Sequence, residues 1–181
     1  MNTKSKTIHI HEIQTENNVK ARSTMFSWLR YLLILLFVYF IFHYALGITV
    51  ISGNSMNPTL HNKDIILTNN IFYEAERNDI VVIQDASGFD IIKRIIALPN
   101  ETIEIKNGIV FVNGEPIKEN FVIGVSTDMP KILVEEGTYF VMGDNRTPGE
   151  SLDSRSTDFG LISATHIKGE AFFSIKPFNP L

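Results

Sequence analysis

The feature that most constrains this 181-residue chain is an apolar run near its N-terminus, from Tyr31 to Val50. The run contains no Asp, Glu, Lys or Arg, and as a helix it would extend about 30 Å, the hydrocarbon thickness of a bilayer. It therefore predicts one transmembrane helix. We place this anchor at residues 27–50, after a polar tail of residues 1–26 and before a larger domain of residues 51–181.

Basic residues on the two sides of the run predict the orientation of the anchor. The first basic residue after the run is Lys63. Five basic residues precede it: Lys4, Lys6, Lys20, Arg22 and Arg30. Positive-inside asymmetry therefore predicts a cytoplasmic tail and an extracytoplasmic domain in a single-pass protein of the cell membrane.

A cleaved secretory signal is the alternative to a retained anchor. Ala45 and Gly47, with Leu46 between them, have the spacing of small residues that a signal cleavage site needs. However, the polar stretch before the apolar run is long for a signal, and the run exceeds the usual length of a signal's apolar region. Both observations favour a retained anchor.

Composition excludes several classes of function. The net charge of -4 gives no basic surface for nucleic acid, so DNA and RNA are excluded as partners. The chain has no cysteine, which rules out a disulfide framework, a thiolate metal site and a cysteine nucleophile.

The part after the anchor has the pattern of a β domain. Asn107-Gly108 and Asn113-Gly114 adjoin short apolar runs and predict two tight hairpins. No long segment keeps a helical apolar period, so the domain is predicted to be mostly antiparallel β. A sandwich and a small barrel both fit this pattern. The predicted strands are 64–67, 80–83, 91–97, 102–105, 109–112, 139–142 and 171–175.

Ser55 lies in a loop of small and turn-forming residues, 51–60, directly after the predicted anchor. A serine in such a loop is usually a turn residue unless a base accompanies it. The patterns G-x-S-x-G and S-x-x-K are both absent. The two histidines of this part, His61 and His166, lie in no recognisable motif.

Lys93 is the other candidate base. It lies in an apolar segment, where strand alternation places it on the same face as Ile91 and Ile95. Burial there would lower the lysine pKa, as a general base near neutrality requires. The alternative is a lysine that reaches water from a strand edge. Arg94 points to the opposite face and does not release its proton, so it is no rival base.

A third segment, 141–160, is a predicted strand that runs into a polar loop. By itself this loop has the pattern of a solvated loop tied by ion pairs. The spacing of a calcium loop is absent, so we expect no metal and no cofactor. The polar residues are Asp144, Asn145, Arg146, Ser151, Asp153, Ser154 and Arg155.

Together the three segments resemble type I signal peptidases of the single-anchor, Gram-positive kind. The motifs that carry the resemblance are Ser55-Met56 before Pro58-Thr59-Leu60, Lys93-Arg94 before Leu98-Pro99, and Gly143-Asp144-Asn145-Arg146 before Ser151 and Asp153-Ser154-Arg155. The resemblance implies a membrane-bound serine endopeptidase that removes signal peptides from exported preproteins after Ala-x-Ala sites. Its expected partners are these preproteins and the lipid bilayer, and a monomer is expected.

The resemblance also implies a role for each site residue. Ser55 would attack the scissile carbonyl and Lys93 would take its proton. Ser151 would orient the lysine, and the Ser55 N–H would belong to the oxyanion hole. Some members supply a second donor from a serine two residues earlier, where this chain has Gly53. The residues expected to brace the site are Arg94, Asp144, Arg146, Asp153 and Arg155.

Two departures from the family pattern do not affect Ser55 or Lys93. Four residues, Thr147 to Glu150, separate Arg146 from Ser151, where the pattern has about two, and Asn100 replaces a common glycine. Two other functions share part of this pattern. A self-cleaving repressor shares the serine and lysine logic but needs a DNA-binding module, whereas a catalytically silent β module would bind extended peptides without cutting them.

Overall fold

The structure is a computed structural model that describes residues 26–71, 73–85, 88–176 and 178–181. The predicted tail lies outside the described residues except for Phe26, and so do its basic residues Lys4, Lys6, Lys20 and Arg22. The chain divides into a unit that ends at His43 and a second unit, Tyr44–Leu181.

The described residues contain one α-helix, α1, which covers Phe26–Tyr44, and a short 3-10 helix at Ala164–His166. By its length of 19 residues and its apolar composition it is able to cross a membrane. Its side chains are exposed along its whole length.

The predicted anchor boundary at Val50 is corrected to Tyr44, because Leu46–Val50 forms strand β1. The β-branched residues Ile48, Thr49 and Val50 favour a strand, and β1 pairs in continuous register with the next strand. Gly47 belongs to this pairing, since a Cβ there would lie 2.2 Å from Thr68 Oγ1. Close packing therefore explains the small residue that also suggested a signal cleavage site.

The described residues contain twelve strands, all after α1. Each of the seven predicted strands is found, with ends that differ by a few residues. The strands are β1 Leu46–Val50, β2 Ile65–Asn69, β3 Ile80–Gln84, β4 Asp90–Ala97, β5 Thr102–Lys106, β6 Ile109–Val112, β7 Glu115–Pro116, β8 Met129–Leu133, β9 Thr138–Met142, β10 Ile162–Ser163, β11 Ile167–Lys176 and β12 Asn179–Pro180.

The strands form two sheets. The larger has the order β1-β2-β11-β3-β4-β9-β10, with β12 paired to β11, and the smaller has the order β7-β6-β5-β8. Every pairing between these strands is antiparallel. The predicted class, mostly antiparallel β preceded by one apolar helix, is confirmed.

Both predicted Asn-Gly hairpins are confirmed. Asn107 and Gly108 connect β5 to β6 with φ of 51° and 75°, and Asn113 and Gly114 connect β6 to β7 with φ of 54° and 87°. Two positive φ values in sequence suit a two-residue hairpin, because they match the twist of the flanking strands. Asn100 also has a positive φ, 67°, which asparagine tolerates.

The two sheets share a hydrophobic core. Ile96, Phe140 and Met142 of the larger sheet pack there with Ile103 and Val110 of the smaller one. Both faces of the larger sheet are covered, since alternate residues of β3 belong to two further clusters. Burial on both faces holds β4 and β9 in fixed positions. These neighbouring strands matter below, because β4 carries Lys93 and β9 ends beside it.

We predict that Phe140→Ala lowers the free energy of unfolding of the detergent-solubilised chain by about 3–5 kcal/mol. The ring is fully buried, so its loss leaves a cavity in the core that the two sheets share. Denaturant titration measures the change. Phe89→Ala is the matched control, because Phe89 is 72% exposed and its loss should change stability by less than about 0.5 kcal/mol. Equal effects of the two substitutions would contradict this account of the core.

Candidate active site

The site forms where β9 leaves the larger sheet. Arg94 of β4 pairs with Met142, the last residue of β9, so the position next to Lys93 on that side has no strand partner. The loop that carries Ser55 occupies this place. Asn145 N donates to Ser55 O at 2.9 Å, and Asn145 Nδ2 donates to Asn54 O at 3.3 Å.

Ser55 and Lys93, which are distant in sequence, are in contact. Lys93 Nζ donates to Ser55 Oγ at 2.9 Å. Lys93 is only 3% exposed, whereas Ser55 is half-buried. Lys93 therefore does not reach water from a strand edge, and the two residues predicted as nucleophile and base share a hydrogen bond.

Burial determines the proton affinity of Lys93. Loss of hydration lowers the pKa of Lys93 from 10.5 to about 8. The nearby Asp153 carboxylate raises this pKa and the Arg155 guanidinium lowers it, both with smaller effects than burial. An appreciable fraction of the amine is then neutral near neutral pH, which a general base requires.

Asp153 is the centre of a hydrogen-bond network beside Lys93. Burial by itself would raise the pKa of Asp153, but the hydrogen bonds and charge of Arg155, the Gly143 N–H and the Ser151 hydroxyl together lower it. The carboxylate accepts from Arg155 Nε and Nη2 at 2.8 Å each, from Gly143 N at 3.0 Å and from Ser151 Oγ at 2.7 Å. It is therefore held charged.

Ser151 contacts this network rather than the lysine. Its hydroxyl donates to Asp153, and the described residues show no hydrogen bond between Ser151 and Lys93. The direct role of Ser151 in orienting Lys93 stays a prediction. The hydrogen bond that the structure does contain joins Ser151 to Asp153, which lies near Lys93.

A buried ion pair connects the strand of Lys93 to the segment after β9, and the loop of Ser55 contacts this pair through Thr59. Arg94 Nε and Nη2 donate to the two oxygens of Asp144 at 2.8 and 2.6 Å. Thr59 Oγ1 donates to the same carboxylate at 2.5 Å. The Arg94 guanidinium also lies over the Phe121 ring, 4.1 Å from its centroid. Arg94 thus points away from Lys93, as strand alternation predicts.

Arg146 is buried and paired with a residue that the sequence analysis missed. Its guanidinium is hydrogen-bonded to both carboxylate oxygens of Glu119 and donates to Ser126 Oγ at 2.9 Å and to Gly143 O at 2.8 Å. Ile123 adds backbone hydrogen bonds to Asp144 and Arg146. Glu119 is an isolated acidic residue in a polar segment, so no spacing in the sequence pointed to this contact.

The candidate oxyanion hole rests on backbone groups. The Ser55 N–H makes no hydrogen bond among the described residues, which leaves it available to a substrate oxygen. Gly53 has φ +103°, a conformation that glycine favours, and its N–H already donates to Asn62 Oδ1 at 3.2 Å. The contribution of Gly53 to the hole therefore stays a prediction.

A cavity of about 280 Å³ opens beside Ser55 and Lys93. Its lining includes polar residues of the Ser55 loop and apolar residues such as Ile51, Met56 and Ile92. No group of three or more His, Cys, Asp or Glu able to hold a metal ion occurs in the described part of the chain.

Comparison with known proteins identifies the family. A model described as signal peptidase, peptidase S26, matches residues 25–176. The chain belongs to this family. It is a type I signal peptidase, and thus a serine endopeptidase, which confirms the prediction from the motifs.

Bacterial relatives match this peptidase over most of its length. Signal peptidase I of Bacillus amyloliquefaciens is 34% identical over 92% of this chain and 94% of the relative. Signal peptidase I T of Bacillus subtilis is 34% identical with the same coverage. Among solved structures, a signal peptidase I from Enterococcus faecalis has 28% identity and a TM-score of 0.48, covering 54% of this chain and 97% of that one.

We predict that Gly143→Ala lowers kcat for preprotein cleavage by about a hundredfold, because small displacements of reacting groups have effects of this size. A Cβ at this position would lie 2.5 Å from Ser55 O and 2.4 Å from Ser151 Oγ, so the Ser55 loop must move. The measurement is kcat below the unfolding temperature of each variant.

Gly169→Ala is the matched control. A Cβ at Gly169 would lie 2.3 Å from Asn69 O, a similar backbone clash, but in β11 and away from Ser55. Both variants should unfold at lower temperature, while only Gly143→Ala should lose kcat. A folded Gly143→Ala enzyme with unchanged kcat would show that Ser55 does not depend on this close approach.

Proposed function

We propose that this peptidase is anchored in the membrane by α1 and removes N-terminal signal peptides from exported preproteins, using Ser55 as nucleophile and Lys93 as general base. The observation that carries the proposal is the 2.9 Å contact between the buried Lys93 Nζ and Ser55 Oγ. A catalytically silent peptide-binding module has no need of a buried lysine with a lowered pKa against a serine hydroxyl.

The proposed reaction begins with proton transfer from Ser55 to Lys93. With Lys93 neutral, the Ser55 hydroxyl donates to Nζ, and Oγ attacks the scissile carbonyl as its proton moves to the amine. The Ser55 N–H donates to the oxygen of the tetrahedral intermediate. The Lys93 ammonium then protonates the leaving amine. In the second step the neutral lysine deprotonates the water that attacks the acyl carbon, and it returns this proton to Ser55 Oγ as the acyl group leaves.

Asp153 stabilises the charged form of Lys93 during each cycle. An opposite charge nearby favours the ammonium, and the pKa of Lys93 is raised by Asp153 accordingly. Arg155 limits this effect because it neutralises much of the Asp153 charge. The lysine is thereby able to accept and release a proton within one pH range.

The substrate is proposed to bind extended, with small side chains at the first and third positions before the cut, as in Ala-x-Ala sites. Apolar residues in the lining of the cavity beside Ser55, among them Ile51, Met56 and Ile92, support uncharged side chains there. We propose a cytoplasmic N-terminus and an extracytoplasmic β domain, from the basic residues before α1. A monomer bears the complete set of proposed catalytic groups.

We predict that Lys93→Ala lowers kcat by at least about a hundredfold, the lower range for loss of a general base, and that Ser55→Ala, which removes the nucleophile, lowers kcat at least as much. The assay is cleavage of a preprotein with an Ala-x-Ala site by the detergent-solubilised full-length enzyme. Ser163→Ala and Lys131→Ala are the controls, since they change a serine and a lysine of β10 and β8. Cleavage that persists in a folded Ser55 or Lys93 variant would show that the residue is structural.

We predict that kcat/KM rises with pH along a limb with a midpoint near 8, because only the neutral lysine accepts the proton. At pH 7 about a tenth of the enzyme would carry neutral Lys93. Asp153→Asn removes a charge that raises the pKa of Lys93, so the midpoint should move to lower pH. The pH profile of residual activity measures the shift. An unmoved or raised midpoint would contradict the assignment of the limb to Lys93.

A further inference from the structure

The cavity beside Ser55 carries an unmatched negative charge. Two acidic residues line it, Asp90 and Glu150. Asp90 accepts from Lys168 Nζ at 2.9 and 3.0 Å, so its charge is matched within the protein. Glu150 is exposed, and its carboxylate has neither an ion pair nor a hydrogen bond in the described part of the chain.

The loop that carries Glu150 has a defined conformation. Glu150 N donates to Thr147 O at 3.1 Å, and Gly149 has φ +86°, so these four residues form a closed turn. The buried Arg146 precedes the turn and Ser151 of the Asp153 network follows it. Glu150 is therefore held at the cavity by anchored residues on both sides. The turn is also the segment in which this chain is longer than the family pattern.

An apolar residue accompanies the free carboxylate. Leu152 lines the same cavity and is 60% exposed, although large aliphatic side chains are usually buried. An apolar surface next to a carboxylate complements a lysine or arginine, whose methylene stem packs on apolar groups while its cationic head reaches the charge. An acidic or short polar side chain has no such complement here.

We propose that Glu150 and Leu152 form a subsite that favours substrates with a lysine or arginine in the segment next to the cleavage site. The inference rests on the proposed function and deepens it by naming a substrate class. Lys93 does not oppose a cationic substrate residue in its working state, because the base acts as a neutral amine. Glu150 is thus a specificity-determining residue that takes no part in proton transfer.

The test uses sets of preproteins that differ at one position flanking the cut, with glutamine, lysine or glutamate there, each position being varied in turn. For wild type, we expect one position at which kcat/KM for the lysine substrate exceeds that for glutamine by about two- to fivefold, the range of exposed ion pairs. The glutamate substrate should fall below glutamine at that position. Raised salt should reduce both differences.

Variants assign the preference to Glu150. Glu150→Gln should bring the ratio of lysine to glutamine substrate close to one, and Glu150→Lys should invert it. Glu115→Gln removes an exposed carboxylate from the smaller sheet and is the matched control, for which the ratio should equal that of wild type. Leu152→Ser should reduce the ratio while Glu150 keeps its charge.

Two outcomes would overturn the inference: the absence of any position with a preference for lysine, or a preference that survives Glu150→Gln. In both cases wild-type cleavage of the glutamine substrate, and its loss in Ser55→Ala, would leave the proposed function intact. Wild-type enzyme that cleaves none of the substrates would instead overturn the proposed function itself.

Discussion

The arrangement of this site depends on the buried ion pair between Arg94 and Asp144. Charges in a protein interior persist only when they are paired and hydrogen-bonded, and the Asp144 carboxylate, which is fully buried, accepts two hydrogen bonds from Arg94 and one from Thr59. Breaking such a pair costs about 3–5 kcal/mol, so the three segments that carry these residues are held together. One of them carries Lys93, another carries Ser55, and the third leads to Asp153.

The same ion pair also limits the effect of the Arg94 charge on the neighbouring Lys93. Arg94 follows Lys93 in β4, and an unpaired guanidinium there would push the lysine pKa lower still. Because Asp144 matches its charge, burial becomes the main influence on the pKa of Lys93, with Asp153 as a smaller opposing one. Arg155 likewise forms an ion pair with Asp153. Asp144 and Asp153, the two carboxylates that raise the pKa of Lys93, are thus each paired with an arginine.

Local patterns in the sequence predicted the elements whose causes are local. The strand of Lys93, both Asn-Gly hairpins and the loop of Ser55 follow from alternation and turn chemistry, and the motif resemblance predicted the contact of Ser55 with Lys93. The end of α1 was missed because its apolar residues continue without a break into β1, and only pairing with β2 separates the two. Glu119 was missed because its contact with Arg146 depends on how distant segments meet.

A lysine with a lowered pKa inside a sheet carries a cost in stability. The shift in the pKa of Lys93 from 10.5 to about 8 corresponds to about 3 kcal/mol, which opposes folding at every pH below about 8. Between about pH 8 and 10.5 the folded lysine is neutral while the unfolded one still holds its proton, so the cost falls as pH rises and disappears near 10.5. The cores that cover both faces of the larger sheet stabilise the fold against this cost, and they keep β4 in place with Lys93 only 3% exposed. The burial that weakens the fold at neutral pH is therefore the same burial that suits the lysine to act as a base.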